Sequence, residues 1–208
     1  RARVQLYYED TPGLAAKRFQ AQLDENPKND VARYGLAIAQ IKGAQFSLAQ
    51  ENLKPLLAKA PNDITYNLAQ IELDMTNNRL PDAQQRTDRM LTQYPGNYPL
   101  NQVRVDLLLK QNRTADAEKA LEGLLKSRTD DPDVWYQVAE TRGLSGNIIG
   151  LHQARAEYFA LVGDFKQAIQ QLDFAKRRAG SNFPLSSRID ARQRELIDQE
   201  RMIKDMMG

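Results

Sequence analysis

A period of 34 residues runs through the chain and constrains its fold more than any other feature. Pro27, Pro61 and Pro95 are spaced by 34, and Leu23, Leu57, Leu91 and Leu125 keep the period through four copies, as do Ala15, Ala49, Ala83 and Ala117. The position of Phe19 recurs as Leu53, Thr87 and Leu121, slipping once to a polar residue. A unit this short cannot bury its own apolar face. Copies must stack, each completing the core of the next.

Within a copy the apolar spacing is helical. Leu53, Leu56, Leu57 and Ala60 mark one face of a helix, and Ile64, Leu68, Ile71 and Met75 mark another. Turn signals separate such faces at Lys42-Gly43, Asn77-Asn78, Gln111-Asn112 and Gly163-Asp164. In Asp131-Pro132 an N-cap residue precedes a proline at the first helical position. β-branched alternation is nowhere sustained, so no strands are expected. The expected fold is all-α: a solenoid of about four to five helix-turn-helix repeats with capping helices, forming a single domain over 1–208.

The irregularities carry expectations of their own. Leu36-Ala37 and Leu68-Ala69 are 32 apart, which suggests that the first helix of the second copy arrives two residues early. Val103-Arg104 stands where a small residue is usual, implying looser packing there. Ala117 and Ala168 are 51 apart, one and a half periods. Helices near 133–145, 149–162 and 165–179 must then follow one another, the middle one shared by two repeats. Pro55 lies inside a helix and should bend it. Tyr7 and Tyr8 read as part of a truncated first helix. The stretch 185–208 reads as a charged C-terminal capping helix, with Ile189, Leu196 and Ile203 at heptad spacing as an alternative docking face.

Composition removes several functional classes. The 208 residues include no Cys, which excludes disulfides, thiolate metal sites and a cysteine nucleophile. His152 is the one histidine, so no site needing two imidazoles can form within the chain. Gly143-Leu144-Ser145-Gly146 lacks the lysine of a phosphate loop and reads as a connection between helices. No catalytic signature and no metal or cofactor site is expected. No apolar run reaches membrane-spanning length. A net charge of +2 does not indicate nucleic acid. Lys176, Arg177, Arg178, Arg188, Arg192 and Arg194 could form a basic face, but the interleaved acids Asp190, Glu195 and Asp198 favour a solvated surface. The chain opens on Arg1 without a signal pattern and reads as a piece of a longer protein.

Two helices per 34 residues, a small residue early in the second helix and a closing proline resemble tetratricopeptide repeats. Trp135-Tyr136-Gln137-Val138-Ala139 is similar to the family's opening, which implies a buried Trp135. Gly163-Asp164-Phe165-Lys166-Gln167-Ala168 is similar to its central turn. The resemblance implies protein binding in a groove lined by first helices, at Tyr34, Tyr66 and Tyr136, with Asn101 and Tyr98 in the third repeat. Tyrosine offers a large apolar face with a polar tip, which suits a protein interface. The alternative is that these rings pack between helices. Tyrosine at these positions sets aside the subclass that clamps a terminal carboxylate with Lys and Asn. The irregular stretch 143–160 is the second candidate for recognition.

Taken from Arg3-Val4-Gln5-Leu6-Tyr7-Tyr8-Glu9-Asp10 to Arg192-Gln193-Arg194-Glu195-Leu196, the chain also resembles the repeat region of a family of Gram-negative periplasmic zinc metallopeptidases. That resemblance implies a periplasmic, non-catalytic module that engages the outer-membrane β-barrel assembly machinery and its stalled clients. The zinc would sit in an N-terminal protease domain outside this chain. The competing expectation is a structural solenoid that docks on that protease domain and regulates it.

Overall fold

The computed structural model describes residues 11–207, which form eleven helices: α1 (Pro12–Glu25), α2 (Asp30–Lys42), α3 (Phe46–Lys59), α4 (Ile64–Thr76), α5 (Leu80–Gln93), α6 (Tyr98–Lys110), α7 (Thr114–Leu125), α8 (Pro132–Leu144), α9 (Ile148–Leu161), α10 (Phe165–Ala179) and α11 (Phe183–Met207). No strand occurs among the described residues, so the fold is an all-α helical repeat. Tyr7 and Tyr8 lie outside those residues.

Caps set the register. Asn29, Asp63, Asn97 and Asp131 accept hydrogen bonds from the backbone N–H groups of Ala32, Tyr66, Leu100 and Asp133 at 2.9–3.1 Å. Each bond satisfies one of the donors that a helix start leaves open. α2, α4, α6 and α8 follow these caps, 13 residues each, with starts spaced by the full period. The first helix of the second copy therefore does not arrive early. Ala37 is equivalent to Ile71, and Gly35 to Ala69; the two Leu-Ala pairs belong to different columns, because capping rather than local similarity decides where a helix begins.

The turns repeat as strictly. Ala44, Asn78, Asn112 and Gly146 have φ of 55°, 56°, 57° and 75°, the left-handed region. The following N–H groups, of Gln45, Arg79, Arg113 and Asn147, donate to the carbonyls of Gln40, Asp74, Leu108 and Arg142 at 2.7–2.9 Å. The same turn recurs half a period later: Gly163 has φ 82°, and Asp164 N–H donates to Phe159 O at 2.8 Å. α9 is thus entered and left by the same kind of turn. It is the second helix of one pair and the first of the next, the sharing that the 51-residue interval implied.

The connections between pairs are tied by another column. Arg33, Asn67, Asn101 and Trp135 donate from their side chains to the carbonyls of Pro27, Pro61, Pro95 and Thr129 at 2.8–2.9 Å. This corrects the expectation for Trp135. Its indole N–H reaches back to the loop, and the ring is only half-buried. α3 continues through Pro55, whose side chain is exposed.

The chain divides into two compact units, Arg1–Leu107 and Leu108–Gly208. In the first, Ala15, Phe19, Leu36, Ala37 and Leu53 build one core, and Ile71, Ala83, Met90, Leu100 and Leu107 another. In the second, Ala156, Ala168 and Leu172 pack with Ile189 and Leu196 of α11. Ala15, Ala49, Ala83, Ala117 and Ala168 have no exposed surface, which lets helix backbones approach closely. Thr87, where the apolar column slips, is equally buried; its hydroxyl donates to the Ala83 carbonyl of its own helix at 2.7 Å.

Candidate protein-binding surface

Tyr34, Tyr66, Tyr98 and Asn101 lie in the first unit, and Tyr136 in the second. Tyr34 is buried at 6% exposure and packs against Tyr66, with ring centroids 5.8 Å apart. Tyr66 is half-buried, and burial is the main cause that pushes its phenol above the usual range, followed by the charges of Asp30 and Asp63. Lys59 pairs with Asp30 beside it. Tyr98 accepts a hydrogen bond from the Gln102 amide. Asn101 donates to the carbonyls of Pro95 and Asn97, both at 2.9 Å, so its amide is engaged in holding the helix start.

Tyr136 differs from these. It is 52% exposed and stands on α8 at the edge of a cleft of 210 Å³. The cleft continues onto α9, where Tyr158 meets Tyr136 edge-on with centroids 5.8 Å apart, and Phe159 meets Tyr158 at 5.3 Å. Glu140 and Arg155, both exposed, add a charge of each sign. The floor is held from α10: Gln171 is buried, and its Oε1 lies 2.8 Å from His152 Nδ1. The His152 ring packs on Phe174 at 5.3 Å, which places the lone histidine in a helix contact. Three adjacent rings with polar groups at the margin form a surface that can take an apolar side chain and fix its orientation by hydrogen bonds.

Tyr158 and Phe159 fall inside the irregular 143–160 stretch, but periodicity could not single them out. α9 serves two pairs, so its inward face follows neither pair's column. Gly150, Ala154 and Ala156 are its buried residues, whereas Arg155, at the period position of Phe19 and Leu53, is exposed. A second cleft, of 440 Å³, lies in the first unit between α3 and α5 over α4. Of its charged residues only Asp74 and Arg79, whose backbone groups bond across a left-handed turn, fall in columns that the repeat highlights.

The basic C-terminal residues are partly neutralised. Arg192 makes two bonds to Glu157 of α9, at 2.9 and 2.7 Å, and Lys176 pairs with Asp190 at 2.6 Å. Those bonds to Glu157 are the main reason the Arg192 guanidinium is held above its ordinary range. Among the described residues no helix is long and apolar enough to cross a membrane, and no group of three or more His, Asp and Glu side chains is placed to hold a metal ion.

A tetratricopeptide repeat family model matches residues 6–71 and again 74–140. The chain is 27% identical over 188 residues to the β-barrel assembly-enhancing protease of Escherichia coli K12, covering 88% of this chain and 38% of that protein. The protein of the same name from Yersinia pestis is 27% identical over 174 residues, covering 84% of this chain and 35% of its own. The chain thus spans little more than a third of the length of these relatives. Among solved structures, a thermophilic TPR protein of Thermus thermophilus aligns with a TM-score of 0.52 at 23% identity, over 90% of this chain and 93% of its own. A tetratricopeptide repeat protein of Parabacteroides merdae aligns with a TM-score of 0.58 at 13% identity, over 89% and 78%. At these identities the structural likeness bears on the fold alone.

Proposed function

Because the chain belongs to the tetratricopeptide repeat family, we propose that it is a protein-interaction module whose contact surface includes the cleft of Tyr136, Tyr158 and Phe159. Repeats of this family imply protein–protein interaction. The observation that carries the site is Tyr136: a large ring 52% exposed, on a first helix, with two further rings beside it. A buried ring such as Tyr34 supports the fold, whereas an exposed one in a cleft is available to a partner.

The likeness to the β-barrel assembly-enhancing proteases supports a finer reading. The module works in the periplasm, and its partners are the outer-membrane β-barrel assembly machinery and clients stalled on it. It performs no catalysis itself and binds no cofactor. The chemistry and its zinc belong to a protease domain outside the 208 residues.

The test is a binding titration of the purified chain against the isolated assembly complex. Tyr136→Ala and Tyr158→Ala should each weaken association by ~2 kcal/mol, roughly thirtyfold. Tyr136→Phe should cost much less, since ring burial carries most of an aromatic contact. Glu122→Gln, at an exposed position of α7, should bind as the parent does. If Tyr136→Ala and Tyr158→Ala keep full affinity with helical content unchanged, the cleft is not the contact surface.

A further inference from the structure

Between α3 and α5 the first unit has a cleft of 440 Å³ whose floor is α4. Four cations line it, Lys54, Arg79, Arg86 and Arg89, against two carboxylates, Asp74 and Asp82. One pair is closed: Arg79 Nη2 lies 2.6 Å from Asp74 Oδ1, and the Gln70 amide donates to the same oxygen at 3.2 Å. Among the described residues the other cations have no such ion pair. Arg86 and Arg89 converge on one neutral acceptor, the Oδ1 of Asn67, each at 3.0 Å. Asn67 is itself fixed, because its amide donates to the carbonyls of Pro61 and Asp63 at 2.9 and 2.8 Å. Two guanidinium groups are therefore held together over an amide oxygen, with no ion pair to either among the described residues. The buried Nε atoms of Arg79 and Arg86 find no acceptor among the described residues. Lys54, exposed on α3, makes no ion pair among them.

Arg89 opposes the charge of Arg86, which the charges of Asp74 and Asp82 offset only in part, and an anion placed between the two arginines would relieve their repulsion and supply charge-assisted bonds. Asp74 and Asp82 in the same cleft disfavour a compact dianion such as phosphate. A row of single carboxylates can meet Arg86, Arg89 and Lys54 in turn, each far less repelled by Asp82, one turn from Arg86 on α5, than a dianion would be, and Leu57 adds an apolar group to the lining. We propose that the cleft between α3 and α5 receives side-chain carboxylates of an acidic peptide segment of a protein partner. Its lining comes from α3, α4, the loop at Arg79 and α5 of the first unit, whereas the aromatic cleft is lined by residues of the second.

The experiment is fluorescence anisotropy on the whole 208-residue chain. The probe is a labelled, C-terminally amidated peptide of alternating Glu and Ala, and its control has Gln for Glu. Amidation removes the terminal carboxylate as a source of binding. The Glu peptide should bind at least ~10-fold more tightly than the Gln peptide at low salt, and the difference should shrink as salt screens the charges. Arg86→Gln combined with Arg89→Gln should reduce affinity ~10-fold or more. Lys54→Gln removes a charge with no structural bond, so it should reduce affinity by roughly threefold at an unchanged melting temperature. Tyr136→Ala should bind the Glu peptide normally, so that failure here and failure of the aromatic cleft are told apart. Equal binding of the two peptides, or full affinity in both charge variants, overturns the proposal. So does displacement of the peptide by inorganic phosphate where chloride of equal ionic strength leaves it bound, which would mark a site for free anions.

Discussion

At Asp74, burial and charge oppose each other. Its side chain is 4% exposed, and burial raises the carboxyl above its ordinary value of 3.8, while Arg79 and the Gln70 amide recover only part of that shift. The folded state therefore takes up a proton at higher pH than the unfolded state does. The resulting stabilisation is complete below the unfolded value and is lost as pH rises through the raised folded one. Asp74→Asn keeps an oxygen for Arg79 and Gln70 and removes the titration. At pH 7 it should cost no more than about 1 kcal/mol. As pH falls from 7 through the carboxylate range, the parent should gain stability relative to Asp74→Asn. Urea midpoints of the two proteins at matched pH measure this; a gap that stays constant, or grows in favour of Asn, contradicts it.

Among the elements, α11 separates a heptad that packs from one that does not. Ile189 and Leu196 are 1% and 0% exposed against α9 and α10, while Ile203, one heptad on, is 39% exposed. Leu196→Ala should cost ~2–5 kcal/mol, because it leaves a cavity in a filled core. Ile203→Ala should cost under about 1 kcal/mol. Thermal melts of both variants test the boundary between anchored and free helix; equal losses would mean that Ile203 is packed as well. The two bonds from Arg192 to Glu157 give the anchored part its rotational register. α9 shows how an element can depart from the repeat without breaking the stack: two left-handed turns half a period apart let one helix pack on both neighbours.

At the scale of the molecule, each unit is built from nearest-neighbour contacts, so damage should stay near its origin. Gly35 provides the test. A Cβ there would come within 2.5 Å of the Phe19 ring, which has no exposed surface into which it could move. Gly35→Ala should destabilise by ~1–3 kcal/mol despite alanine's better helix propensity. Amide exchange should accelerate in α1 to α4 and change little in α9 to α11. Uniform acceleration across all of these helices would mean that the chain opens as one cooperative body.

The period, the two-helix unit and the turn sites were legible in the sequence because they depend on local chemistry. Prolines favour helix ends and starts, Asn and Gly accept left-handed turns, and small residues fit between closely packed backbones. Asn29, Asp63, Asn97 and Asp131 form a capping column equally visible in the sequence, and it sets the start of α4 one full period after that of α2. The tyrosines could be placed on first helices, but not sorted. Tyr34 and Tyr136 stand in the same column, yet one is 6% and the other 52% exposed. That difference is set by neighbours distant in sequence: Tyr66 closes over Tyr34, whereas Tyr158 leaves Tyr136 open to solvent. The meeting of Arg86 and Arg89 on Asn67 likewise depends on how α5 lies against α4. Sequence alone determined the repeating helices and where they turn, because those follow from the preferences of each residue and its near neighbours. Tertiary structure alone decided which side chains face a partner, because exposure depends on what the rest of the chain leaves uncovered.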